Sequence, residues 1–392
     1  CLGPDPASKR PSNDRTSPVK SPLIQTVHTS EAGDEAALEM QIDHALEAGA
    51  RSLFLLGCDA NKLDRVAVSN LLHDVPVPIF GGSFPAILTG DRLLEQGFVV
   101  AGLRESVRVH TIPELARFSE DDDDPIALPP EIAGAPGLLV LADGLSRSVD
   151  TLVTRLYDQI GPGRTVVGGG AGSLSFEQGP CIFSREGHLQ DCLQVVGLPR
   201  PVEMTTRHGW QPLEGPFLVT DARGNEIRAL NYRPAFDVYR ETVERHTKLR
   251  FDDSTFFEIA KTFPFGLERL DDELLVRDPI LVSGGALTCV GHVPENAMIY
   301  VLRGDAEGLI GAVGDAATGL GGSRREASDV FVFDCISRKL FLEDRFTDEL
   351  ARIRAPFPSG SRLVGALTLG EIANSKSGAI EFHNKTAVVS VP

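Results

Sequence analysis

The sequence has no long apolar run, no regularly spaced cysteines and no excess of basic residues. The 392 residues contain no stretch of about 18 consecutive apolar residues, so no segment is predicted to span a membrane. The six cysteines form no CxxC pair, which argues against a disulfide scaffold. Acidic residues outnumber basic ones by 55 to 38, and the net charge of −17 argues against nucleic acid or an anionic membrane as the main partner.

The signatures of common enzymes are also missing. There is no GxSxG sequence, and the glycine run at 168–172 is not followed by the helix that a dinucleotide-binding turn requires. The nine histidines show no HxxxH or HxH spacing, so we predict His383 to be a packed or surface residue, with a haem or metal ligand as the alternative. Cys335, with Arg338 nearby, is the candidate nucleophile, but on a buried strand it would be inert. We therefore predict a protein that is not an enzyme, with a cysteine-dependent enzyme as the alternative.

One pattern occurs three times along the chain: a short apolar strand, a helical segment, a glycine-bearing corner and a return strand. A coarse internal repeat predicts a duplicated scaffold whose equivalent corners converge on shared sites. We therefore predict an α/β (α+β) fold of two parts, with mixed sheets built from repeated strand-helix-strand-strand units. The apolar strands that open the three units are at 53–58, 138–141 and 330–335, and the corners are centred on residues 81–83, 168–170 and 370.

The length predicts two or three domains, and composition suggests where they begin. Residues 1–30 are predicted to be a disordered polar tail. A change of pattern at residues 199–215 then separates a predicted N-terminal domain, 31–212, from a predicted C-terminal domain, 213–392. Because the sequence begins with Cys1, we expect either a cytoplasmic truncated chain or a lipoprotein tethered to a membrane through a lipid anchor at Cys1.

Several short motifs, in this order, make the chain resemble the FIST family, a bacterial and archaeal sensory module. The resemblance extends over about residues 31–391. One departure is Asp91, which stands where the family usually has a glutamate, after a longer spacing. The matching segments are Gly81-Gly82-Ser83 with Gly90, Val167–Gly170 with Phe176, Leu218–Thr220 with Asn225, Leu230 and Pro234-Ala235, Phe333–Cys335 with Arg338, Gly370-Glu371, and Phe382–Asn384 with Thr386.

The resemblance implies a sensor that binds small ligands, with amino acids proposed, and passes the signal to a kinase, a cyclase or a chemotaxis protein. Some members of the broader group bind haem and sense nitric oxide. We therefore predict a non-enzymatic module that binds a small polar, amino-acid-like ligand between its two parts. A haem-binding nitric-oxide sensor is the alternative, and otherwise no cofactor is expected. No output domain is recognisable, so a separate output protein is expected as the partner.

Arg338 and Glu371 are the predicted centre of the ligand site. If their strands lie side by side, the guanidinium would hold a ligand carboxylate and the carboxylate would hold an ammonium. The alternative is a structural ion pair. Cys335, Thr368, Asn384 and Thr386 lie nearby in the sequence. The glycine corners are predicted to supply backbone N–H groups to an anion. The alternative is that the glycines serve only tight turns and close packing. The residues of these corners are Gly81, Gly82, Ser83, Gly168, Gly169 and Gly170.

Overall fold

The computed structural model describes residues 21–119, 124–252, 255–269 and 274–392. Its first unit begins inside the predicted tail, because residues 24–30 form an edge strand; Cys1, with its predicted lipid anchor, lies outside the described residues. Asp34 caps the first helix by accepting the N–H of Ala37 at 2.9 Å. The first unit comprises β1 Ile24–Ser30, α1 Glu35–Glu47, β2 Ser52–Cys58, α2 Arg65–Asp74, β3 Ile79–Phe84, β4 Ala86–Thr89, β5 Arg92–Leu94 and β6 Phe98–Leu103.

Two further units repeat this order, and the third is interrupted by a large insertion. The second unit comprises β7 Arg108–Pro113, a 3-10 turn Leu115–Arg117, α3 Pro130–Ala133, β8 Gly137–Asp143, α4 Val149–Ile160, β9 Thr165–Ala171, β10 Ile182–Ser184, β11 Gly187–Leu189 and β12 Cys192–Leu198. The third unit begins with β13 Glu203–Arg207. The insertion comprises β14 Gln211–Arg223, β15 Glu226–Leu230, β16 Arg233–Pro234, α5 Ala235–His246, α6 Phe256–Ala260, β17 Phe265–Glu268, β18 Leu274–Ser283, β19 Ala286–Val290 and β20 Met298–Arg303. The third unit resumes with α7 Ala306–Gly321, β21 Asp329–Cys335, α8 Ile336–Leu342, a 3-10 turn Glu343–Arg345, α9 Phe346–Arg354, β22 Arg362–Thr368, β23 Glu371–Asn374, β24 Ile380–His383 and β25 Ala387–Val391.

Each unit forms a sheet of the same plan. A parallel pair (β2–β3, β8–β9 or β21–β22) is flanked by an antiparallel return strand (β6, β12 or β25) and then by an edge strand. Every sheet is completed by a hairpin from another unit: β10–β11 extends the first sheet, β23–β24 the second and β4–β5 the third. This cyclic exchange ties the three units together and confirms the predicted fold of mixed sheets built from repeated units.

A glycine at the same place in each parallel pair permits close backbone approach. A Cβ at Gly81 would lie 1.8 Å from the Leu55 carbonyl oxygen, and one at Gly168 would lie 1.7 Å from that of Val140. Gly365 in the third unit would meet the Val332 carbonyl oxygen at 1.9 Å. No side chain fits at such distances, so these three positions require glycine for packing.

The three sheets share one apolar core. Strands such as β2 are buried along their whole length and are mainly apolar, because both of their faces are covered. Phe54 stacks on Phe80 at 4.8 Å and meets Phe331 of the third unit edge-on at 5.7 Å. Side chains of all three units therefore pack together in the centre of the molecule.

The insertion folds into a separate closed barrel. Six of its strands follow the order β14-β20-β17-β18-β19-β15, and pairing between β14 and β15 closes the ring. Its own core holds Tyr239 of α5, whose hydroxyl donates to the Phe263 carbonyl at 2.8 Å. No helix of the described residues is long and apolar enough to cross a membrane.

Candidate functional site

A cavity of about 370 Å³ lies where the barrel meets the second and third units. The second unit contributes the segment after β8 and the loop around Leu174 and Phe176. The third unit contributes the start of α8, the turn between β22 and β23, and the end of β24. The barrel closes the remaining side with residues of α6, β18 and β19. The cavity, called the barrel cavity below, is lined mainly by apolar side chains, among them Leu145, Leu174, Ile280, Ile336, Leu340 and Phe382.

Two buried polar side chains of this wall have an unused hydrogen-bonding atom. Asp278 of β18 is 4% exposed; its Oδ2 accepts from Lys385 Nζ at 3.0 Å and from Ser337 Oγ at 3.2 Å. Its Oδ1 has no partner in the described part of the chain, and neither has Nδ2 of Asn384, which is 2% exposed. Buried polar atoms are nearly always paired, so an unpaired acceptor and an unpaired donor in one cavity wall indicate a place for a ligand.

Burial and the salt bridge act in opposite directions on Asp278. Burial raises the pKa of its carboxyl group, and the ammonium of Lys385 opposes that rise. Lys385 is itself buried and also donates to the Lys261 carbonyl at 2.9 Å. The ammonium therefore uses one carboxylate oxygen and leaves the other for a second donor.

Cys335 lines the cavity, and Glu371 lies directly behind it. Glu371 accepts from Thr368 Oγ1 at 2.8 Å and from the N–H of Thr386 at 3.3 Å. Burial raises the pKa of Glu371 to about 8, although its hydrogen bonds with Thr368, Cys335 and Thr386 oppose the rise. Burial and the neighbouring Glu371 raise the pKa of the Cys335 thiol above its usual value, which makes a thiolate nucleophile unfavourable.

Arg338 lies outside the cavity, which corrects the predicted pairing with Glu371. Its side chain is fully buried and forms an ion pair with Glu349 of α9, while Asp334 Oδ1 lies 3.4 Å from its Nε. Its other donors reach the carbonyl oxygens of His208 at 2.6 Å, Lys385 at 3.2 Å and Leu309 at 3.2 Å. With its donors satisfied by the protein, Arg338 cross-links β21, α7, α9 and the chain before the barrel.

The glycine corners adjoin one another, and several of their N–H groups already donate to acceptors within the protein. The N–H of Gly172 donates to the Ser83 carbonyl at 2.9 Å, and the N–H of Gly170 donates to the Gly370 carbonyl at 2.8 Å. These two N–H groups are therefore hydrogen-bonded within the protein. The glycines permit close packing, because a Cβ at Gly82 would lie 2.7 Å from the Cys181 carbonyl oxygen. Comparable clashes occur at Gly81, Gly168, Gly169 and Gly170. Ser83 instead lines a second cavity.

His383 is packed rather than placed in the cavity. Its Nε2 lies 3.2 Å from the Ala373 carbonyl oxygen, and burial lowers the pKa of the ring to about 4. Within the described ranges, no group of three or more His, Cys, Asp or Glu side chains is arranged to hold a metal ion.

Sequence reasoning missed the barrel side of the site. Arg277 and Asp278 are adjacent charges in an otherwise apolar strand, and this was the signal available in the sequence. Arg277 Nη2 lies 3.1 Å from Asp150 Oδ1, and its Nη1 donates to the Phe382 carbonyl at 2.8 Å. This fully buried arginine therefore fastens the barrel to the second and third units at the edge of the cavity.

The fold and the cavity define an α/β module with an inserted barrel and a partly open cavity of a size suited to a small molecule. A model of the FIST N domain matches residues 52–233, and a model of the FIST C domain matches residues 235–374. The chain belongs to the FIST family, whose domains are sensory, small-ligand-binding modules of signal transduction. The predicted family is thereby confirmed. No curated protein matches the chain significantly.

Proposed function

We propose that the protein is a non-enzymatic sensor that binds an amino acid with an apolar side chain in the barrel cavity and signals to a separate output protein. The unpaired Asp278 Oδ1 and Asn384 Nδ2 carry this proposal. An amino acid supplies what each atom lacks, because its ammonium donates to the carboxylate and its carboxylate accepts from the amide.

The rest of the wall supports an apolar ligand body. Apolar side chains such as Ile280 and Leu340 surround most of the cavity. Phe176 and Phe257 also line it, and 57% and 39% of their respective surfaces are exposed. Phe176 also adopts a left-handed φ of 57°, a conformation that costs free energy in a residue other than glycine and that concentrates at binding sites. The ligand proposed here is thus less polar than the one predicted from the sequence.

The position of the cavity supports a sensory role. Its wall combines the barrel with the second and third units, so a bound ligand would contact all three at once. A ligand shifts a conformational equilibrium only through different contacts in the two states. A site at the meeting point of separate bodies satisfies that condition, and a movement of the barrel is a change that an output protein can detect.

Calorimetric titration with leucine and two analogues tests the proposal. Leucinol lacks the carboxylate, 4-methylpentanoate lacks the ammonium, and each is expected to bind at least about tenfold more weakly than leucine. Ile280→Trp fills the cavity and should abolish binding, whereas Leu281→Trp, on the exposed neighbouring position of the same strand, should leave it unchanged.

Asn384→Leu removes the unpaired donor and should weaken leucine binding without affecting leucinol. Phenylalanine and methionine are tested in parallel to cover other apolar side chains. The proposal is wrong if none of the three amino acids binds below about 10 mM, or if Ile280→Trp binds them as the wild type does.

A further inference from the structure

A second cavity of about 350 Å³ lies in the N-terminal half, at a place equivalent to the barrel cavity. The barrel cavity lies beyond the ends of β8 and β21 and is bordered by the hairpin β23–β24. The second cavity lies at the ends of β2 and β8, with Cys58 and Asp143 in its wall, and is bordered by the hairpin β10–β11. The repeated fold therefore generates the same kind of pocket at two of its junctions.

A buried histidine in this second wall has a ring nitrogen without a hydrogen-bond partner in the described part of the chain. His188 of β11 is 7% exposed and stacks on Phe183 with ring centroids 4.8 Å apart. Within the described residues, its Nε2 has no hydrogen-bond partner. Burial and nearby Arg65 lower the pKa of the ring to about 4, so the imidazole is neutral at pH 7. A neutral imidazole with its proton on Nδ1 presents Nε2 as an acceptor.

The charges around the cavity are mainly negative. Asp59, Asp143 and Glu177 line it, and Arg65 is the one basic side chain that the described residues add to its wall. Asp143 is 1% exposed, and its Oδ2 accepts from Gln178 Nε2 at 2.8 Å and from the N–H of Asp191 at 2.8 Å. These donors are neutral and do not offset the charge of a carboxylate, so Asp143 contributes negative electrostatic potential to the cavity wall.

We propose that this second cavity binds a small organic cation whose ammonium donates to His188 Nε2 and whose charge is balanced by Asp59 and Asp143. A primary diamine is the simplest ligand of this chemistry, and no metal is required. This site does not depend on the proposed function of the barrel cavity, and its ligand belongs to a different chemical class. The protein would then respond to two small molecules at separate junctions.

Titration with three four-carbon compounds tests the chemistry. Putrescine carries two ammonium groups, 1,4-butanediol is neutral and succinate carries two carboxylates. We expect saturable binding of putrescine below about 1 mM and at least about tenfold weaker binding of the other two. Equal binding of putrescine and the diol, or no binding of putrescine up to about 10 mM, would overturn the proposal.

Variants locate the site. His188→Phe preserves the ring stack on Phe183 but removes the acceptor, and it should weaken putrescine binding at least about tenfold. His73→Phe, an exposed histidine at the end of α2, is the matched control. Should His188→Phe fail to fold, Asp59→Asn tests the same site from its other wall. Ile280→Trp should leave putrescine binding intact, and wild-type affinity in both His188→Phe and Asp59→Asn would refute the assignment.

Discussion

Replacing Arg338 by methionine should destabilise the protein more than most single substitutions do. The guanidinium is fully buried and donates to Glu349 and to the carbonyl oxygens of His208, Lys385 and Leu309. Methionine fills a similar volume but leaves the Glu349 carboxylate, itself fully buried, without its partner. Removing one member of a buried ion pair typically costs about 3–5 kcal/mol.

The double variant separates the ion pair from simple packing. Burial and the neighbouring Glu349 raise the pKa of the Asp334 carboxyl group well above its usual value. Arg338→Met with Glu349→Leu removes both charges and should recover about 1–3 kcal/mol of the loss. Arg345→Ala, which breaks exposed ion pairs with Glu307 and Asp348, is the control and should cost less than about 1 kcal/mol.

Urea unfolding followed by tryptophan fluorescence is a suitable assay. Trp210 is the only tryptophan, is 1% exposed and lies two residues from His208, whose carbonyl Arg338 binds. Its signal therefore reports on the region that Arg338 cross-links. A loss below about 1 kcal/mol in Arg338→Met, or no recovery in the double variant, would refute the role assigned to this arginine.

Two further substitutions test the packing and the protonation described above. Gly168→Ala should lower the free energy of unfolding in urea by about 3 kcal/mol or more, because the new Cβ would lie 1.7 Å from the Val140 carbonyl oxygen. The control is Gly311→Ala in α7, where the space around the glycine is open, and it should be neutral or stabilising. Equal effects of the two substitutions would contradict the packing role of Gly168. Glu371 has a folded-state pKa of about 8, above its unfolded value. Its contribution to stability is therefore full at low pH and is lost as the pH rises from about 5 to 8. The free energy of unfolding should fall by at most about 1.4 kcal/mol per pH unit in this range. Across this range the free energy of unfolding of Glu371→Gln should not show the pH-dependent loss expected of the wild type. Parallel curves for the two proteins would show that Glu371 does not titrate as described.

The sequence predicted the repeat because the pattern is local. Each unit places apolar strands and a glycine at fixed separations, and a glycine such as Gly168 is required by its own neighbouring strand. The exchange of hairpins between units was not predictable, because it depends on pairing between strands distant in the sequence, as between Ile372 and Gly168. Closure of the barrel through β14 and β15 is a long-range property of the same kind.

The residues predicted for the site are brought together only in part, for a related reason. Cys335 and Asn384 do line the barrel cavity, while Thr368 and Glu371 lie behind its wall. Arg338 was placed wrongly because the side of β21 on which α8 carries it depends on helix packing, and Glu349, although only eleven residues further along the chain, reaches it only through the packing of α9. Asp278 was missed because its partner Lys385 is more than a hundred residues away.

Equivalent strand ends show how one repeated unit acquires different sites. Cys58, Asp143 and Cys335 end the first strand of each parallel pair, at matching register with their neighbours. At the junction of the third and first units, Lys339 forms an ion pair with Glu95, and Cys58 Sγ lies 3.3 Å from the Leu94 carbonyl oxygen. The equivalent position thus carries a thiol packed against a hairpin in the first unit (Cys58), a carboxylate held by N–H donors in the second (Asp143) and a thiol beside Glu371 in the third (Cys335). Because Asp143 and Cys335 are not among the side chains of the shared central core, these two positions can diverge at little cost to the fold, whereas Cys58 also packs in that core.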